Sequence, residues 1–326
     1  MKKSTIKIAG FMMLAMLLGG HNTASAQNFD LNGDGTVDVA DMSALITYMA
    51  GESLNADAPG SADKNENREK KLSESGTGVD LGLPSGRKWA DKNVGYSKDS
   101  DYGIYFSWGE MRGTVAKGTN IVLEGGTLYE NKKTRFDWGN YEWMYSGETT
   151  WKGISKYQIE DGVVDAKWYE EDEFGNYQFI GDGIGELALV DDAARFNWGG
   201  KWRMPYVHEI EELLNYTTQT WKKSRMPGGS KDVWGCEFKG PNGKTIFLPA
   251  AGSAEYQYLE YRDGQYIFPK GKYWSRELDS HFGHDSSQAV ILSITRKVCC
   301  EDEPDNIISW YERQYGLSIR PVLGDE

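Results

Sequence analysis

The chain has little of what usually carries catalysis or covalent cross-linking. Its 326 residues include only three cysteines and four histidines. The cysteines are Cys236 and the neighbours Cys299 and Cys300, an odd set that excludes a disulfide framework as the basis of the fold. A bridge from Cys236 to one of the pair stays open in an oxidising compartment, whereas a bridge between the two neighbours would close a strained ring. No His or Cys stands around them at zinc-finger spacing. Positive charge is also scarce: 36 Lys and Arg against 49 Asp and Glu leave a net charge of −13. Such a chain repels phosphate backbones, which excludes nucleic acid as a partner.

Catalytic signatures are missing in the same way. His208-Glu209 lacks the second histidine of a zinc-protease helix, and there is no Gly-x-Ser-x-Gly elbow and no phosphate-cradling Gly-Lys-Ser/Thr loop. The run His281-Phe282-Gly283-His284-Asp285 reads as a polar loop or a metal-holding one. Paired acids such as Glu170-Glu171 and Glu211-Glu212 cannot be told from solvated faces without geometry.

Long apolar runs are absent except at the start. Lys2 and Lys3 precede an apolar stretch from Ile8 to Leu18, and Ala24-Ser25-Ala26 follows. This order predicts a signal peptide over residues 1–26 with cleavage before Gln27, too short in its apolar part to be a comfortable permanent anchor. No transmembrane segment is expected after cleavage. Export follows: a secreted, cell-surface or periplasmic protein.

Residues 30–41 place Asp30, Asn32, Asp34, Asp38 and Asp41 at positions 1, 3, 5, 9 and 12 of a loop. Thr36 at position 7 would give its backbone carbonyl, and Gly35 permits the sharp turn. This spacing wraps hard oxygens round one Ca2+ ion, and without a cation the carboxylates would repel one another. The following residues put Met42, Leu45, Ile46 and Met49 on one helical face before Gly51. The small EF-hand-like loop and helix of residues 27–51 resembles a single dockerin repeat. That resemblance implies a cohesin partner; Val39 and Ala40, apolar residues, occupy the positions that would recognise it.

Residues 52–77 carry no aromatic residue and only two Leu, which predicts a flexible linker, drawn as 52–78. From Val79 onward the chain holds all 12 tryptophans, with Gly, Asn and Asp-Gly turns between short apolar runs. A helix is predicted over Val207–Tyr216, a weaker one over Leu187–Phe196, and strands at Thr245–Leu248, Ala289–Ile294 and Leu317–Val322. The expected class is α+β, in one domain over residues 79–326.

Many strings in that domain come in a definite order. They include Val79-Asp80-Leu81-Gly82-Leu83-Pro84-Ser85-Gly86, Phe106-Ser107-Trp108-Gly109-Glu110, Asn197-Trp198-Gly199-Gly200, Trp202-Arg203-Met204-Pro205, Gly240-Pro241-Asn242-Gly243, Phe247-Leu248-Pro249-Ala250-Ala251-Gly252 and Ser318-Ile319-Arg320-Pro321-Val322. The ordered set resembles the Fibrobacter succinogenes major paralogous domain. The resemblance spans residues 79–323, with 111–185 matching less well as a variable insertion. It implies a C-type-lectin-like, formylglycine-generating-enzyme-like fold with long irregular loops and paired N- and C-terminal strands. It does not bring an activity, because Cys299-Cys300 are adjacent and lack the context of that enzyme's reactive cysteines.

The aromatics Trp138, Tyr141, Trp143, Tyr145 and Trp151 crowd the insertion. They could stack on sugar rings, anchor a protein interface or pack a loop-rich core. Trp138 and Trp143 are the candidate ligand-binding residues. The leading expectation is a non-catalytic binding or adhesion protein for a glycan or a cell-surface protein. The alternatives are a dockerin-bearing accessory component of polysaccharide breakdown and, third, an enzyme of the formylglycine-generating class.

Overall fold

The computed structural model describes residues 75–96, 102–111, 113–115, 136–226, 229, 232–255, 258–259, 270–279, 286–297 and 303–324. All of them fall in one compact unit, Asn67–Glu326. The signal peptide, the calcium loop with Asp30, Asn32, Asp34, Thr36, Asp38 and Asp41, the linker up to residue 74, residues 281–285 and Cys299-Cys300 lie outside the described residues.

The described part is mixed and rich in β structure. Its strands are β1 (Gly78–Asp80), β2 (Lys88–Ala90), β3 (Ile104–Tyr105), β4 (Thr114–Val115), β5 (Tyr169–Glu171), β6 (Tyr177–Phe179), β7 (Trp202–Arg203) and β8 (Thr218–Arg225). They continue with β9 (Asp232–Lys239), β10 (Thr245–Pro249), β11 (Ala254–Glu255), β12 (Tyr258–Leu259), β13 (Gly271–Leu278), β14 (Gln288–Ile294), β15 (Ile307–Glu312) and β16 (Val322–Leu323). Two α-helices accompany them, α1 (Ala193–Trp198) and α2 (Val207–Tyr216).

The sheet β1-β2-β16-β7 joins the two ends of the domain, with Val322 opposite Trp89 and Val79 opposite Trp89 on the other side. The N-terminal strand β2 therefore pairs with the C-terminal strand β16, and β1 lies on the other side of β2. Ordered pairing begins slightly before Val79: Thr77 N–H donates to Asp91 and Gly78 lies opposite Ala90. Backbone pairing needs no apolar side chain, so the polar composition that marks the linker does not mark this boundary. Two further sheets, β10-β9-β8 and β13-β14-β15, are antiparallel meanders.

Two of the motif strings meet in space. The Asn242 amide donates to the Asp80 carbonyl, at 2.8 Å. A Cβ on Gly240 would stand 2.0 Å from the Leu81 carbonyl oxygen, so only glycine fits there.

Helix α2 forms where its spacing predicts. Ile210 and Leu213 are buried while His208 and Glu211 face outward. The Glu209 carboxylate reaches back to accept the Tyr206 N–H at 2.9 Å, which fastens the start of the helix. The same carboxylate makes a fork with buried Arg203, both contacts at 2.8 Å, and meets Arg87 at 2.5 Å. Burial alone would raise Glu209, but the Arg203 hydrogen bonds and charge, the Tyr206 N–H and Arg87 outweigh it and hold the carboxyl below its ordinary range.

The segment expected as a helix over Leu187–Phe196 is divided. A 3-10 turn covers Leu189–Asp191, and α1 starts only after Asp192. Asp192 stays extended and its carboxylate accepts from Ala194 and Arg195 N–H, which makes it the cap rather than the middle of a helix. The strand expected over Leu317–Val322 is likewise not continuous. Leu317 bridges Phe106, Ser318 bridges Tyr273, and regular pairing resumes at β16. Successive residues serve different neighbours, and Pro321 has no N–H to donate.

Two apolar clusters fill the interior. One gathers Phe106, Trp108, Tyr157, Trp274 and Leu317; the other gathers Trp89, Ile210, Trp221, Phe238 and Leu248. Cys236 belongs to the second and carries a free, buried thiol, so the bridge to the Cys299-Cys300 pair is not formed. Burial pushes that thiol up to about 12, against the Asn306 amide that donates to its sulfur at 3.1 Å.

Candidate functional site

The insertion supplies the most distinctive surface, and its base is fastened to the core by residues far away in sequence. The turn Trp108-Gly109-Glu110 acts as a rail. The Trp108 carbonyl accepts from Tyr141 OH at 2.7 Å, the Gly109 carbonyl accepts from Trp143 Nε1 at 3.0 Å, and the Glu110 carboxylate accepts from Glu142 N–H at 2.9 Å. Gly109 has φ 78°, and a Cβ there would come 3.0 Å from Trp143 Nε1. The glycine thus permits both the turn and the close approach of the tryptophan.

Arg313, fully buried, pins the other side. Its Nε donates to Tyr141 OH at 3.0 Å. One terminal nitrogen donates to the carbonyls of Tyr157 and Ser286, at 2.9 and 2.8 Å, and the other to Lys156, at 3.0 Å. The guanidinium also lies over the Trp108 ring, 4.7 Å from its centroid.

Tyr157 sits at the centre of this junction with φ 62°, a left-handed conformation that tyrosine rarely adopts. Four groups hold it there. Its N–H donates to Asp182 at 2.6 Å, its carbonyl accepts from Arg313, its hydroxyl donates to Asp191, and the same hydroxyl accepts from Ala188 N–H at 3.1 Å. Burial first, and then the Asp191 hydrogen bond, push its phenol well above the ordinary tyrosine range. Lys156 pairs with the same Asp191 and places its ammonium 4.5 Å from the Trp143 ring centroid. The acid, the lysine and the phenol therefore neutralise and position one another. That arrangement orders a segment; it offers no free nucleophile beside an activating base.

The two candidate ligand-binding tryptophans are half-buried. Trp138 packs against the cluster of Ile154, Ala166 and Trp168 and meets Tyr141 edge-on at 5.5 Å. Trp143 meets Tyr157 edge-on at 6.4 Å, with one face towards Lys156. No ring contact joins the two tryptophans to each other among the described residues. Tyr141 is buried, and Trp151 packs with Trp168. Much of the aromatic crowding therefore serves a small satellite core under the insertion.

Other apolar side chains of the insertion are exposed, and of these sequence reasoning singled out only Tyr145. Phe174, Ile180, Tyr145 and Tyr177 are 80, 56, 48 and 47% exposed. Phe174 tips the β5–β6 hairpin, whose turn carries Gly175-Asn176. The turn was legible; the outward aromatic was not, since a Phe reads as core by default. Arg313 left no local signal at all, because every partner lies at least 27 residues away.

Other expected features resolve more simply. Glu209 of the His208-Glu209 pair faces Arg203. Glu211 is exposed, and Glu212 accepts from the Ser85 N–H and hydroxyl, at 2.7 and 2.6 Å. Among the described residues no group of three or more His, Cys, Asp or Glu could hold a metal ion, and no helix is long and apolar enough to cross a membrane. Compared with known proteins, the chain matches no family model, no curated protein and no solved structure.

Proposed function

We propose that the chain is an exported, non-catalytic binding or adhesion protein whose large domain presents the insertion, described over residues 136–185, to a glycan or protein at a cell surface. One observation carries this reading. The insertion is clamped at its base by Arg313 and the Trp108–Glu110 turn, while Phe174, Tyr177, Ile180 and Tyr145 are left in solvent. A rigid base with outward aromatics is the usual economy of a binding surface, since little ordering entropy remains to be lost on contact. In this reading the domain is of the C-type-lectin-like kind, supported by its paired end strands and long irregular insertion. The Ca2+ loop of Asp30, Asn32, Asp34, Thr36, Asp38 and Asp41 forms an N-terminal module ahead of it, after export of the chain and loss of residues 1–26.

The test uses the mature chain, residues 27–326, on glycan and peptide arrays, beside a variant in which a two-residue turn replaces Asp172–Asn176. The mature chain is expected to bind a probe that the shortened, still folded variant does not. Equal binding by both proteins would refute the role given to the insertion.

A further inference from the structure

The hairpin tip joins an exposed aromatic to an unusual density of negative charge. Residues 160–186 contain nine acids, Glu160, Asp161, Asp165, Glu170, Glu171, Asp172, Glu173, Asp182 and Glu186, against the single base Lys167, a net of −8 in a chain whose total is −13. Most of the formal surplus is thus gathered in one short stretch. Some of it is structural: Asp161 and Asp182 accept backbone N–H groups, and Asp165 pairs with Lys152. Glu173 is exposed in the turn and Glu170 is exposed on β5 opposite Gln178, and among the described residues neither is in an ion pair. Phe174 stands between Glu173 and Gly175, 80% exposed.

The tip is also held in shape. One Asp172 oxygen accepts the N–H groups of Phe174 and Asn176, both at 2.8 Å. At the foot of the hairpin Tyr169 and Phe179 pack edge-on, 5.6 Å apart, against the satellite core. A pre-shaped finger with an apolar end and exposed carboxylates along it suits a surface that offers the opposite: an apolar pocket flanked by lysine or arginine. Anionic sugars and anionic lipids meet the same carboxylates as repulsion.

We infer that the β5–β6 hairpin docks into a cationic protein surface, with Phe174 as the anchor and Glu170 and Glu173 as the steering charges. This rests on the binding role proposed for the insertion and names its partner chemistry.

The experiment measures binding of the mature chain to short synthetic peptides by fluorescence polarisation, at about 50 and about 300 mM salt. The probes alternate leucine with lysine, leucine with glutamate, or serine with lysine, and a neutral and acidic glycan panel runs in parallel. Lysine-leucine peptides are expected to bind, glutamate-leucine peptides not, and lysine-serine peptides about tenfold more weakly. Phe174→Ala should weaken binding by about tenfold. Glu170→Gln with Glu173→Gln should weaken it mainly at low salt and flatten the salt dependence. All three side chains are exposed, so these variants keep the fold, as a melting curve would verify. Cationic-peptide binding that survives both variants overturns the inference. Glycan or acidic-peptide binding that Phe174→Ala abolishes also overturns it, while leaving the binding role of the insertion intact. A folded chain that binds no probe of any class removes both.

Discussion

Replacing Arg313 with methionine tests how the insertion is held. Methionine keeps the apolar stem but removes every donor. Four acceptors lose their partner: Tyr141 OH and the carbonyls of Tyr157, Ser286 and Lys156. At about 1 kcal/mol for each abandoned buried acceptor, the loss is about 4 kcal/mol. The stacking on Trp108 adds about 1 kcal/mol. Against this, among the described residues no carboxylate is in an ion pair with the guanidinium, so removing a buried charge recovers some desolvation, on the order of 2 kcal/mol. The net expectation is about 3 kcal/mol of destabilisation. In a domain of this size that lowers Tm by about 6–12 °C. Urea denaturation followed by tryptophan fluorescence gives the free energy, and limited proteolysis gives its location, with new cuts expected inside residues 136–185. Arg225→Met serves as the control, since the Arg225–Asp232 pair is exposed on both sides and should be worth under about 1 kcal/mol. An Arg313→Met protein within about 0.5 kcal/mol of the parent, with an unchanged digestion pattern, would refute the argument.

The Arg203–Glu209 fork gives a pH prediction. The folded-state pKa of Glu209 is depressed, so its contribution is fully present above the unfolded value of about 4.3 and lost as pH falls through the lower folded value. Glu209→Gln should therefore cost about 3 kcal/mol near pH 7, with the gap to the parent narrowing in strong acid; a gap constant across a pH series of urea melts would contradict this. Trp138→Ala with Trp143→Ala should cost about 4 kcal/mol because both rings are half-buried, whereas Phe174→Ala should stay within about 0.5 kcal/mol; the reverse order in the same assay would show that the tryptophans, not Phe174, are the free surface. The Cys236 thiol, buried and raised to about 12, should react with a disulfide reagent only after unfolding, measured in a Cys299→Ser, Cys300→Ser background; rapid labelling of the native protein would count against it. For the N-terminal loop, calorimetry on the mature chain should show calcium binding that Asp30→Ala with Asp34→Ala removes, in the range of about 10⁻⁴ to 10⁻³ M typical of extracellular modules.

The sequence by itself determined what depends on near neighbours. Helix α2 was legible because Val207, Ile210, Leu213 and Leu214 recur at helical spacing. Strands β10 and β14 were legible from short apolar runs bounded by turn residues. The division at Asp192 could have been read from its preference for capping, which outweighs the apolar spacing on either side. Tertiary structure decided the rest, through contacts whose partners are far apart in the chain. It spread Leu317 and Ser318 over different neighbours where periodicity suggests one strand. It turned Trp138 towards a satellite core and Trp143 towards Tyr157 and the Gly109 carbonyl, and left Phe174 outside, although all three are equally apolar as letters. It also made Arg313 a pin, through backbone carbonyls that any residue could have supplied. Hydrogen bonds to carbonyls carry no side-chain signature, so only the folded chain could bring Lys156, Tyr157 and Ser286 to one guanidinium.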